Sequence, residues 1–487
     1  MSDLFLLDDY RRMTETTWAV LSSLLTVGMY FKFRRFWSLR NLDLLALIAL
    51  APGLLLVSPN HQHPGNEHLG YIWLFSVSGF FLVRTLLDSV MVRRPLLEPN
   101  LSADGLTFTG AAMLAFLMTN VILTPNIALQ QNDTAGHAAG YFLHARVSSA
   151  PVVDAGGKMI GILAEKEVSK AIAAPEGAAR LVGDLLPRKR DGARAGASQA
   201  SPAIPGHPLF LAFTTPPAPM AQAEEAAHPE ARRQHVMQEA VSESVAILAH
   251  FAVVIGMVLI GYRHFDSAAT GIAAASLYLL LPYTGQMSAR PEHVVPAALL
   301  VWAVEAYRRP LVAGILLGLA AAAYYPLYLL PLWCGFYWRR GMVRFGLGVT
   351  AALLLLVALL PITAHNTHDV LAQLTQMFWV PLVMTNDQFI GFWHFHTPAY
   401  RIPVYAAFVA LCGSLALWPP QKNLGTLLSC SAMVMLGVQF WRAHYGGLMM
   451  AWFLPLLILT IFRPNLEDRV ALTAVREIWR RKVVASG

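Results

Sequence analysis

Three stretches of this chain gather residue types that move protons or grip anions, and each lies between long apolar segments. The first reads Asn60-His61-Gln62-His63-Pro64-Gly65-Asn66-Glu67-His68. Its three histidines, His61, His63 and His68, with Glu67 beside them, offer the nitrogen and carboxylate ligands that zinc takes. The same residues also suit a carboxylate base helped by a nearby imidazole, or a plain solvated loop. The second reads Gly285-Gln286-Met287-Ser288-Ala289-Arg290-Pro291-Glu292-His293. A guanidinium, a carboxylate and an imidazole within four positions can hold a phosphate and move a proton, or anchor a helix end at the membrane interface. The third runs from Phe392-Trp393-His394-Phe395-His396 to Tyr400-Arg401. Aromatic faces such as Trp393 beside polar groups suit sugar stacking, and they equally describe an interfacial aromatic belt. Arg84 and Asp88, four apart on one helix face, read as a mutual ion pair.

The elements that must position these groups are membrane helices. Charged residues make up 13% of the chain and apolar ones 56%, with a mean hydropathy of +0.49. Soluble domains carry about 25% charge, so a soluble fold has no way to hide this much apolar surface. The net charge of +7 falls in short clusters between apolar segments, as positive-inside topology requires. No basic face with stacking aromatics appears, so nucleic acid is not an expected partner. Cys334, Cys412 and Cys430 lie within apolar segments and read as inert core thiols. No removable signal peptide is expected at the N-terminus.

Apolar stretches over 16–31, 42–57, 70–92 and 105–129, and again from 244 to 462, predict an all-α polytopic membrane protein of about 11–13 membrane helices. Residues 1–129 form a first membrane part, 130–243 a hydrophilic insert, 244–463 a second membrane part and 464–487 a basic tail. Within 310–338 a single crossing would separate Arg308-Arg309 from Arg339-Arg340. Two half-length helices broken at Tyr324-Tyr325-Pro326 keep both pairs on one side, with Pro326 supplying the break. The basic loops and the C-terminus are then cytoplasmic, while Glu67, Arg290, Glu292, Arg401 and Arg442 face outward. In the insert, residues 144–173 predict a small α/β unit with a Gly-bearing hairpin. The Ala/Pro/Gly/Ser-rich stretch from 174 to about 231 predicts a tether with one apolar patch, Leu209–Phe213.

The segment from Tyr283 to Arg340, with Gly285-Gln286, Pro291-Glu292-His293, Arg308-Arg309-Pro310 and Tyr324-Tyr325-Pro326, resembles the membrane-embedded GT-C glycosyltransferases of the polyprenyl-phosphate-mannose branch. The resemblance implies a lipid-linked sugar donor, no required cofactor, and inversion at the sugar carbon. It assigns Glu67 as catalytic base with Glu292 as a second candidate. Arg290 and His293 would hold the departing phosphate, with Arg401 or Arg442 assisting and Tyr324, Tyr325 and Trp393 in the substrate site. It departs from the family in having Glu67 in a short first loop, where Asp in a longer loop is usual. Within the insert, Ser149-Ala150-Pro151-Val152-Val153-Asp154-Ala155-Gly156-Gly157-Lys158-Met159-Ile160-Gly161 and the residues following to about 172 resemble part of a CBS repeat. The expected function is therefore sugar transfer from a polyprenyl phosphate at the outer face of an inner membrane, among membrane lipids. A transporter or flippase for a lipid or small solute, or a non-catalytic scaffold, is the alternative.

Overall fold

The structure is a computed structural model, and it describes residues 15–58, 66–88, 97–122, 127–136, 138–139, 149–153, 159–173, 177–186, 206–214, 220–221, 229–364, 367–377, 389–420 and 422–464. His61, His63 and most of the basic tail lie outside the described residues. The chain opens with α1 (Glu15–Tyr30), α2 (Leu39–Ile48), α3 (Leu50–Val57), α4 (Asn66–Asp88) and α5 (Ala103–Ile122). The hydrophilic region contributes β1 (Ile127–Gln130), β2 (Ser149–Val153), β3 (Met159–Ala164), α6 (Glu165–Ile172), α7 (Val182–Leu185), α8 (Pro208–Thr214) and β4 (Met220–Ala221). There follow α9 (Pro229–His264), α10 (Ala268–Leu280), α11 (Pro282–Gln286), α12 (Pro291–Glu305), α13 (Pro310–Ala320) and α14 (Leu330–Phe336). The last part holds α15 (Met342–Leu359), α16 (Thr367–Met377), β5 (Ile390–Gly391), α17 (Arg401–Leu417), α18 (Leu424–Trp441), β6 (His444–Gly446) and α19 (Leu454–Phe462).

Among the described residues, seven helical stretches are long and apolar enough to cross a membrane, and Ala268–Leu280 and Pro310–Ala323 are shorter apolar helices. Leu24, Val83, Phe108, Leu248, Val343 and Leu354 turn outward and are more than half exposed. A water-soluble bundle would bury such side chains, whereas lipid accepts them. The chain is an all-α polytopic membrane protein with a small α/β insert. Nearly all of α18 is buried, which puts it at the centre of the bundle.

The half-helix hairpin is present. α13 ends in a 3-10 turn at Ala321–Ala323, and Tyr324 adopts φ 62° and ψ −56°. A non-glycine residue in this γ-turn region is strained, and Pro326 prevents the helix from resuming. α14 then returns to the starting end, where the Tyr337 hydroxyl donates to the Tyr307 carbonyl at 2.6 Å. Glycines let α15 run closely along α13. A Cβ on Gly314 would lie 2.2 Å from the Phe345 carbonyl oxygen, and one on Gly348 2.3 Å from that of Leu311. This is the small-residue packing that joins helices where no water drives them together.

Both basic pairs of the hairpin therefore lie at one end, next to Arg263, which pairs with Glu305. A buried ion network braces the helices at their basic ends elsewhere in the bundle. Arg84 donates to both oxygens of Asp43 at 2.9 and 3.0 Å. Asp88 accepts from Arg84 at 3.3 Å and from Arg463 at 2.6 Å. The predicted Arg84–Asp88 pair is thus part of a neutral foursome spanning α2, α4 and the residue after α19.

In the insert the strand order is β3-β2-β1-β4, with β1 parallel to β2 and to β4 and β2 antiparallel to β3. The sheet draws β1 and β4 from outside residues 144–173, because a lone hairpin is marginal in water. The added strand and the flanking helices enclose Leu129, Val152, Leu163, Val168 and Val182 in one small core. The stretch after residue 173 also holds α7 and α8, where composition alone suggested only a tether.

Candidate functional site

The end of the bundle opposite the basic one collects the groups singled out in the sequence. The first and third stretches meet there. Phe75 of α4 stacks on Phe392 at 4.0 Å and meets Phe440 edge-on at 5.4 Å. One and a half to two turns earlier, His68 Nε2 lies 3.2 Å from His396 Nε2, and the His68 ring lies 5.0 Å from that of Phe395. Burial and the neighbouring His68 both lower the His396 pKa, burial the more. Glu67 sits in the first turn of α4, where the helix dipole favours a carboxylate, and it interacts electrostatically with His394. Among the described residues no three His, Cys, Asp or Glu side chains converge as metal ligands.

The second stretch forms the first turn of α12. Arg290 is exposed and donates to Glu292 Oε1 at 3.1 Å, while Glu292 Oε2 is buried and makes no hydrogen bond. His293 turns inward, its Nδ1 2.7 Å from the Tyr283 hydroxyl. That bond gives His293 a positioning role at the helix start. Trp393 is likewise tied into the packing, donating its indole N–H to the Phe440 carbonyl at 3.0 Å. The Tyr324 hydroxyl joins those of Tyr328 and Tyr405 in a chain with steps of 3.1 and 2.8 Å.

The most unusual feature lies between these groups. Arg401 and Arg442 are 0% and 1% exposed. Arg401 donates from Nε to the Trp441 carbonyl, but among the described residues both of its Nη atoms lack a hydrogen-bond partner, as do Nε and Nη1 of Arg442. Among the described residues neither forms a salt bridge, unlike Arg84 and Arg463. Arg442 instead lies between the rings of Tyr325 at 4.7 Å and Trp452 at 4.9 Å. Arg401 faces Phe389 at 5.5 Å and Trp441 at 5.8 Å. Each such contact contributes about 2 kcal/mol or more when desolvated. Burying a guanidinium costs several kcal/mol, so the rings offset much of that cost but leave the positive charge unneutralised. Among the described residues, the guanidinium groups of Arg290, Arg401 and Arg442 stand against one carboxylate, that of Glu292, an excess of two positive charges.

Local structure holds the two arginines in place. Arg401 begins α17, and Arg442 caps the C-terminus of α18. β6 follows directly and pairs with β5, His444 opposite Ile390 and Gly446 opposite Gly391. His444 is buried with neither ring nitrogen hydrogen-bonded. Its pKa is pushed down to about 4, first by burial and then by the Arg442 and Arg401 cations, so it is neutral at pH 7. A cavity of about 20 Å³ remains, lined by Glu292, Arg442, Tyr325 and Trp452 and closed by Phe210 and Leu211 of α8.

The structure therefore brings Glu292, Tyr325 and Arg442 onto one cavity, with Arg401 and His444 close behind. Glu67 and His68 form a separate cluster with His394 and His396. His444, Trp452 and the two α8 residues were not among the sequence candidates. The run Trp441-Arg442-Ala443-His444-Tyr445, dense in rings and cations between two apolar helices, is the signal by which His444 could have been found. The CBS domain family matches residues 118–174, which covers β1 to α6 and leaves nearly all of the membrane helices outside. No curated protein and no solved structure matches the chain. The chain is thus similar to a CBS domain over its insert.

Proposed function

We propose that this protein is a membrane glycosyltransferase that takes a sugar from a polyprenyl phosphate at the outer face of a cell inner membrane. The observation that carries the reading is the buried pair Arg401 and Arg442, whose guanidinium nitrogens lack partners among the described residues, with Arg442 lining a pocket that also holds the Glu292 carboxylate. An apolar, aromatic-lined site with an excess of two positive charges fits a phosphate on a lipid chain.

In this reading a carboxylate takes the proton from an acceptor hydroxyl. The acceptor oxygen bonds to the anomeric carbon as that carbon's bond to the phosphate oxygen breaks, and the electron pair leaves with the polyprenyl phosphate. Fixed cations stabilise the charge that develops on the leaving oxygens. Glu292, beside the cations with a free Oε2, is the favoured base. Glu67, which the family resemblance favours, is the other. The orientation follows from the basic clusters gathered at the opposite end, which the positive-inside rule assigns to the cytoplasm.

The test is sugar transfer by the full chain in nanodiscs, using a radiolabelled polyprenyl-phosphate sugar and a panel of acceptors. Glu292→Gln and Arg442→Gln should each abolish product while the protein stays folded. Full activity in Glu292→Gln with loss in Glu67→Gln would move the base to Glu67. Product unaffected in Arg442→Gln would remove the reading. The transporter alternative needs Arg84 and Asp88 free to change partners. Their four-membered, fully buried network favours a bracing role instead.

A further inference from the structure

We propose that α8 is a removable plug, a segment of the hydrophilic insert that closes the anion site and must withdraw before the site can fill. The inference rests on reading the Arg401–Arg442 pocket as an anion site. It starts from a conflict between electrostatics and space. Arg442 in the cavity wall and Arg401 behind it together present four guanidinium nitrogens without a hydrogen-bond partner among the described residues and call for an anion, yet the cavity beside Arg442 is about 20 Å³, room for a single water. No phosphate enters unless a wall moves. Most of the walls belong to deeply embedded segments, with Glu292 on α12, Tyr325 in the hairpin turn, and Arg442 and Trp452 around the end of α18. Ala323 of the hairpin turn and Met449 after α18 also line it, and Phe210 and Leu211 of α8 complete the wall.

α8 is the wall that comes from the hydrophilic insert. Its seven residues are too few for a helix to be stable without packing. It packs against α9 and α12, and a small clasp ties it to the hairpin and α15. The His207 N–H donates to the Ala322 carbonyl at 2.8 Å, and His207 Nε2 lies 2.7 Å from the Leu356 carbonyl oxygen. With Nε2–H donating there, Nδ1 accepts from the Leu209 N–H at 3.2 Å. Phe210 fills a notch made by Ala322, Leu353 and Leu356. Gly206 allows the close approach, since a Cβ there would lie 3.1 Å from the Ala322 oxygen. The withdrawn plug stays nearby. Only six positions separate Thr214 from Met220, where β4 joins the CBS-matched sheet beside β1, and six residues span at most about 20 Å. Through β4, α8 links the site to that sheet.

The experiment uses the full chain in nanodiscs, with Cys334, Cys412 and Cys430 replaced by alanine and farnesyl phosphate as probe. In a Phe210→Cys/Ala322→Cys variant, oxidation to a disulfide should weaken probe binding at least tenfold, and reduction should restore it. His207→Ala, which removes the imidazole's bonds to Leu356 and Leu209 and alters no pocket residue, should tighten binding several-fold. Equal binding by the oxidised and reduced forms, or weaker binding in His207→Ala, overturns the plug. A second readout needs no ligand. A charged thiol reagent should label Met449→Cys, in the cavity wall, at least ten times faster when His207→Ala is present. If farnesyl phosphate binds no variant, the anion reading falls and the labelling alone judges the plug, with equal rates overturning it.

Discussion

Replacing one guanidinium probes the anion site at the scale of a residue. Arg442→Gln keeps much of the side chain's bulk and removes its charge. Hydrogen bonds to charged groups contribute about 1.5–3 kcal/mol each, so losing one or two should weaken prenyl phosphate binding by roughly 100-fold. Arg290, exposed and already paired with Glu292, should matter far less, with a loss below about tenfold in Arg290→Gln. Equilibrium binding in nanodiscs measures both, and equal losses would contradict the buried pair as the centre of the site. His444 makes a second prediction. Its folded pKa of about 4 lies below the ordinary value near 6.5, so the unfolded chain binds the extra proton between those two values. The stabilisation from keeping His444 neutral is complete above about pH 6.5 and is lost as pH falls towards 4. Tm should drop between pH 7 and pH 5, and His444→Gln should reduce that drop. An unchanged drop would mean that His444 is not held neutral by its surroundings.

At the scale of elements, the hairpin presents Tyr325 to Arg442, and the contact of α13 with α15 supports the hairpin. Gly314 and Gly348 face the neighbouring backbone at distances where no Cβ fits, while Gly346 of the same α15 has nothing within 4 Å. Gly314→Leu and Gly348→Leu should therefore lower stability by at least about 2 kcal/mol, the usual scale of overpacking. Gly346→Leu should be neutral or slightly stabilising, since leucine favours a helix over glycine. Thermal melts in detergent would compare the three. Equal behaviour would mean the two helices are not in this register. The paired arginines on either side of 310–338 made the hairpin legible, because charge has a preferred side of the membrane. The strained Tyr324 at its tip was not legible. A tyrosine takes a positive φ only when the surrounding structure holds it there, and nothing local in Ala323-Tyr324-Tyr325 asks for it.

For the whole molecule, Asp88 is the keystone. It accepts from Arg84 of its own helix and from Arg463 near the end of the described chain, while Arg84 reaches Asp43. Asp88→Asn leaves the two buried cations with one carboxylate, Asp43, which is held by Arg84, and so strips Arg463 of its charge partner. Breaking one buried pair costs about 3–5 kcal/mol, so Tm should fall sharply, whereas Arg263→Gln at the exposed pair with Glu305 should cost less than about 1 kcal/mol. Comparable losses would show that the network is not buried as described. The orientation has its own measurement in single cysteines at 67, 158 and 339. Labelling from outside at 67 and 158 but not at 339 is the expected result. Protection at 67 and 158 would reverse the first membrane part, place the CBS-matched insert in the cytoplasm, and favour the transporter alternative.

Composition and spacing alone determined the membrane class, the half-helix hairpin and a CBS-like strand pair within the insert. Each of these depends on local quantities: apolar run length against bilayer thickness, charge beside a span, and alternation around a Gly-bearing turn. Spacing also picked out Arg290, Glu292 and Arg401 as polar groups beside apolar helices, and the family resemblance added Arg442, but as separate candidates on separate loops. Only the tertiary structure decided which of them share a pocket, since Glu292 and Arg442 are 150 positions apart and meet through helix packing that no local pattern encodes. It also paired His68 with His396 and joined Arg84 and Asp88 to Asp43 and Arg463. The same holds for α8. Leu209–Phe213 stood out as an apolar patch in a polar tether, but its seat against Ala322 and Leu356 depends on a surface that exists only once the hairpin has folded.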